Sequence, residues 1–194
     1  MNQLLEWLKS GNLTSDGASN EVVRFVKADF NLLDDLVEGL KVDDGVVRGH
    51  TADALEKLAR SNPERVNKYL PILFQAAEED NVPMVRWHIA MILGYLSIFQ
   101  DQVDEITDAL IDLLSDQSVF TQSWAIVSLC IVARQYPAKA GQIINAIAPL
   151  KASGSVAIRS KVRNALPILT NEQVPFPKGW IKSEHLYSLM VSGR

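Results

Sequence analysis

YLPILFQAAEEDNVPMVRWHIAMILGYLS, residues Tyr69 to Ser97, decides the fold. Leu70, Leu73, Phe74 and Ala77 recur at helical spacing, and Glu79-Asp80-Asn81 breaks the pattern. Val85, Ile89, Ile92, Leu93 and Leu96 then form a second apolar stripe, so the stretch reads as two short helices joined by a polar turn. The same pattern returns three times, from Leu32 to Ala59, from Ile106 to Ala133 and from Ile144 to Thr170. Leu55, Leu93, Leu129 and Leu166 mark equivalent positions, and intervals of this size suit a unit of two helices and two turns. Each turn (Asp43-Asp44-Gly45, Glu79-Asp80-Asn81, Ser115-Asp116-Gln117, Ser153-Gly154-Ser155) carries side chains suited to capping the second helix.

The prolines test this division. Pro63, Pro83 and Pro137 fall at helix ends, where a missing N–H costs little, and Pro71 fits a first turn. Pro149 and Pro167 are expected to end or kink their helices. No run alternates in the manner of a strand, so the fold class is all-α.

The pattern resembles the HEAT repeat family of α-solenoids. The residues that carry the resemblance are the Asp before the second helix (Asp43, Asp80, Asp116) and the Val-Arg or Ile-Arg pair opening it (Val47-Arg48, Val85-Arg86, Ile158-Arg159). A small residue followed by Leu comes next (Ala52 to Leu55, Ala90 to Leu93). Gln122 stands where the third unit should have Arg, and the fourth unit lacks the Asp, so an Asp-to-Arg ladder between neighbouring repeats is expected to be incomplete at that end. The resemblance implies a right-handed superhelix of four to five helix pairs whose second helices line the concave surface. Residues 1–30 are expected to form a degenerate helix pair, 31–170 four repeats, and 171–194 an extended segment with a capping helix, one structural domain in all. Phe176, Trp180, Leu186, Leu189 and Met190 are expected to cover the last repeat, with a recognition tail as the alternative.

The chain has 194 residues, 47% of them hydrophobic, enough for a core, and 22% charged, which excludes a disordered chain. Its net charge of −4 conceals a division. Residues 1–116 hold 10 Lys and Arg against 21 Asp and Glu, and residues 117–194 hold 9 against 2. Such polarity can orient an encounter or favour self-association. The single cysteine, Cys130, cannot form an internal disulfide, and MNQLLEWLKSGN has no leader-like apolar region, so a cytoplasmic location is expected. The longest uncharged run, Gln117 to Ala133, is too short and too polar for a membrane span.

A search for catalytic chemistry finds no convergent set of groups. His50 and His88 share one column of the repeat, with Trp124 and Lys161 in the equivalent places, but neither starts a metal-ligand spacing. HEAT-type metal hydroxylases rely on repeated His-Glu pairs, and no His-Glu occurs in that order. Cys130 lies in an apolar run, the acidic row Asp101, Asp104, Glu105, Asp108 and Asp112 reads as a solvated helix face, and no phosphate loop or nucleophile elbow is present. No catalytic residue, metal or cofactor is therefore assigned.

Two groups are candidates for binding. Trp87, His88, Met91 and Tyr95 would form an aromatic ridge on one second helix, unless Trp87 and Met91 pack between repeats. Arg159, Lys161 and Arg163 would form a basic corner suited to an acidic peptide or phosphate. The leading expectation is a non-enzymatic scaffold whose concave face binds a protein or peptide. One alternative is a nucleic-acid-binding protein resembling the HEAT-like DNA glycosylases, for which basic and aromatic residues are interleaved on the second helices although a sequence pI near 5.4 opposes it. The other is a structural subunit of a larger complex. The oligomeric state stays open.

Overall fold

The computed structural model describes residues Gln3 to Ser192 and contains no strand among them. The chain packs as two compact units, Met1–Ile89 and Ala90–Arg194, whose division falls inside one helix.

In the first unit, α1 (Gln3–Leu8) and α2 (Ser19–Ala28) precede the repeats. They bury Leu4, Leu5, Leu8, Val22, Val23 and Val26, and both pack on α4. The first repeat is α3 (Leu32–Val37), tightened into a 3₁₀ turn over Glu38–Lys41, followed by α4 (Gly45–Ala59). α4 starts where its sequence says it should. The Asp44 carboxylate accepts hydrogen bonds from the Val46 and Val47 amides at 2.8 and 3.4 Å, satisfying donors that the first turn leaves open. The second repeat has α5 (Pro63–Asn67), α6 (Leu70–Glu79) and α7 (Pro83–Leu96), with proline in the first turn of α5 and α6 and at the start of α7.

The second unit takes the rest of α7, then α8 (Val103–Asp112) and α9 (Val119–Gln135) as the third repeat, α10 (Ala140–Ile147) and α11 (Val156–Thr170) as the fourth, and α12 (Glu184–Ser192). α9 and α11 begin behind serine caps. Ser118 accepts from the Thr121 amide and Ser155 from the Ile158 amide. Pro149 behaves as expected: α10 stops at Ile147 and the chain tightens into a 3₁₀ turn over Ala148–Ala152. Pro167 does not end its helix, which runs on to Thr170. It stands close enough to the C-terminus for the Thr170 hydroxyl to bond back to the Leu166 and Pro167 carbonyls at 3.0 and 3.2 Å.

In three of the four repeats one side chain pins the turn between the two helices. Arg48 Nη1 donates to the carbonyls of Val42 and Asp43 at 3.0 and 2.8 Å. Arg159 Nη1 repeats this with Ser153 and Gly154 at 2.6 and 3.1 Å. In the third repeat the Gln122 amide reaches the Asp116 carbonyl at 2.6 Å, so Gln performs the Arg's local task with a shorter side chain. Asp80 and Asp116 in turn accept the amides two residues on, at 2.7 and 2.6 Å, which sets the turn entering α7 and α9.

Candidate functional site

The aromatic ridge expected on α7 is not a surface feature. Met91 and Tyr95 are buried, because they flank Ile92, Leu93 and Leu96 in the core stripe of the helix. His88 is buried too, with Nδ1 2.8 Å from the Met84 carbonyl. Trp87 is half-buried, its indole Nε1 3.2 Å from His88 Nε2. His88 Nε2 also lies 3.3 Å from Asp53 Oδ1. That carboxylate anchors a polar network inside the first unit: Lys57 Nζ reaches Asp53 Oδ2 at 2.7 Å and Ser19 Oγ at 2.9 Å, and Ser19 donates to Asp53. Burial raises the affinity of Asp53 for a proton, but the bonds from His88, Lys57 and Ser19 outweigh it and hold the carboxyl well below its ordinary range.

His50, the column partner of His88, belongs to a different network. Its Nδ1 lies 2.7 Å from the Leu8 carbonyl and its Nε2 3.1 and 3.0 Å from those of Asn12 and Ser15, so it ties the loop after α1 to α4. Gly17 lies in that loop at φ 49°, where a Cβ would meet the Ser10 carbonyl at 2.5 Å and the His50 ring at 2.6 Å. Among the described residues no group of three or more His, Cys, Asp or Glu side chains converges to hold a metal.

The basic corner separates into two. Lys161 turns toward Trp124 and Trp180, its Nζ 5.6 and 4.6 Å from their ring centres. Lys182 lies 4.8 Å from the Trp124 ring, and Arg134 lies 4.9 Å from that of Phe176 while donating to the Val174 carbonyl at 2.7 Å. The extended C-terminal segment is therefore seated on α9 and α11 by cations beneath aromatic rings. Burial pulls the Lys161 ammonium below its ordinary pKa, against an opposing influence from Cys130, and burial also pushes the Cys130 thiol far up, which removes it as a nucleophile.

Arg159 and Arg163, one turn apart, face the other flank of α11. With Lys151, Leu166, Pro167 and Thr170 they line an open groove of about 560 Å3. Sequence reasoning missed Lys151, which sits in the 3₁₀ turn before α11, and missed the exposed apolar side chains at the starts of α9 and α11. Val156 is 71% exposed at the start of α11, and Val119 and Phe120, 64% exposed, hold the matching start of α9. The signal was present: these residues directly follow the capping serines and lie off the stripes Thr121–Ala125 and Ile158–Val162–Ala165 that face the core.

The comparisons agree with this architecture. Residues 33–130, half of the chain, match the family described as HEAT repeats. An engineered protein of known crystal structure is similar with a TM-score of 0.61 and 21% identity, over 86% of this chain and 79% of that one. A designed armadillo repeat protein in complex with the peptide (KR)4 is similar with a TM-score of 0.58 and 18% identity, over 86% of this chain and 72% of that one. No curated protein matches the chain. The recurring helix pairs, the Arg or Gln that pins the turn in three of them and the family match lead to one conclusion: the chain belongs to the HEAT repeat family.

Proposed function

We propose that this protein is a non-enzymatic scaffold that binds a protein or peptide through the fourth repeat and its neighbour. The observation that carries the reading is a set of exposed apolar side chains at matching helix starts, Val119 and Phe120 on α9 and Val156 on α11, the second of these helices also lining the cationic groove. Exposed apolar side chains of this size suit a protein partner, which can cover them while meeting the charges of α11. The engaged state of the designed armadillo neighbour, which carries a peptide, supports peptide binding by such repeats. Its basic (KR)4 cargo has the wrong charge for this groove, so the cargo here is of different chemistry. A cytoplasmic location accords with a single cysteine that is a buried free thiol.

A photo-crosslinking residue at position 156 of the full chain tests the reading. We expect a discrete protein adduct in a lysate that is lost when Phe120→Ser is added. Absence of any adduct, or adducts indifferent to that substitution, would overturn it.

A further inference from the structure

We infer that the groove lined by Lys151, Arg159 and Arg163 is an unfilled rung of the repeat's own Asp-to-Arg ladder, and that it takes a carboxylate-bearing segment of a protein partner. The inference rests on the scaffold reading above and supplies the chemistry of its partner.

The first repeat shows what a filled rung looks like. Arg48 pins its own turn with Nη1, and its Nε meets Asp80 of the next repeat at 2.7 Å, with both side chains largely buried. Arg159 makes the same pair of Nη1 bonds to its own turn and lines the groove. No carboxylate fills that position. Among the described residues Lys151, Arg159 and Arg163 have no ion-pair partner, and residues 117–194 contain only Glu172 and Glu184.

The helix face beneath the rung says the same. In register with Arg163 stand Ala52, Ala90 and Ile126, and in register with Leu166 stand Leu55, Leu93 and Leu129, all buried. In the fourth repeat this face lies open, and its buried small or apolar position has become Arg163. Polarity alone would make a soluble end to the array. Three unpaired cations around an apolar floor of Leu166 and Pro167, continued along the helix by exposed Val156, go further and match a segment that alternates carboxylates with apolar side chains. Nucleic acid fits less well, since the footprint is short and the chain is acidic overall.

Fluorescence anisotropy on the full chain tests the inference with a labelled peptide of Glu and Leu and with its Gln and Leu counterpart. The Glu peptide is expected to bind, and the Gln peptide at least about tenfold more weakly, as loss of charge-assisted bonds requires. Lys151→Ala and Arg163→Ala should each weaken the Glu peptide by about tenfold while leaving the turn-pinning bonds of Arg159 intact. Circular dichroism confirms that both variants fold. Equal binding of the two peptides, or indifference to both substitutions, overturns the inference. Inorganic phosphate or a single-stranded oligonucleotide binding as tightly as the Glu peptide also overturns it, as does self-association abolished by the same substitutions, which would make a second copy the occupant. If the Glu peptide fails while the position-156 adduct persists, the inference falls and the scaffold stands; if the adduct fails while the Glu peptide binds, the part given to the exposed apolar side chains falls instead.

Discussion

Asp53 shows what a single buried charge does in this fold. Its carboxyl is held low by His88, Lys57 and Ser19, so it binds fewer protons folded than unfolded. The stability it contributes is therefore complete above the unfolded carboxyl value and is lost as pH falls below about 4. Asp53→Asn should cost about 3 kcal/mol near neutrality, because Lys57 and His88 lose their partner in a buried place. It should also flatten the acid limb of a urea-denaturation stability profile. An acid limb as steep as that of the parent chain would show that other carboxylates carry it. None of this was legible in sequence, since Ser19, Asp53 and His88 lie on three different helices and look unrelated along the chain.

Helix boundaries were the most legible feature. Asp44, Ser118 and Ser155 cap the helices that the polar breaks announced, and the proline positions settled three starts and one stop. Pro167, expected to end or kink its helix, does not end it at once: α11 runs on to Thr170, less than one turn further. Close packing between elements was not legible at all. A Cβ on Gly94 would meet Ser128 Oγ at 2.5 Å and its Cβ at 2.8 Å, in a place where the Ser128 hydroxyl already donates to the Ala90 carbonyl at 2.7 Å. Alanine is the better helix former by about 1 kcal/mol, yet Gly94→Ala should destabilise the protein by about 1–3 kcal/mol, because overpacking outweighs propensity. A rise in melting temperature would show that α7 and α9 can part without loss.

At the scale of the whole molecule, position in the array decides what a repeated residue does. Leu129 and Leu166 occupy the same column, but Leu129 is buried and Leu166 lines the open groove. Leu129→Ala should cost about 2–5 kcal/mol and Leu166→Ala less than about 1 kcal/mol, read as paired thermal or urea unfolding. Equal costs would mean that the fourth repeat's outer face is covered. The sequence by itself determined the all-α class, the repeat, its family and the caps, because helical periodicity and capping depend on residues a few positions apart. It also marked Arg159 and Arg163 as a basic corner. Only the tertiary structure removed Met91 and Tyr95 from the surface, turned Lys161 toward Trp124 and Trp180, and added Lys151 to the groove. Burial and electrostatic pairing depend on which elements stack against a given face, and that is set by neighbours distant in the chain.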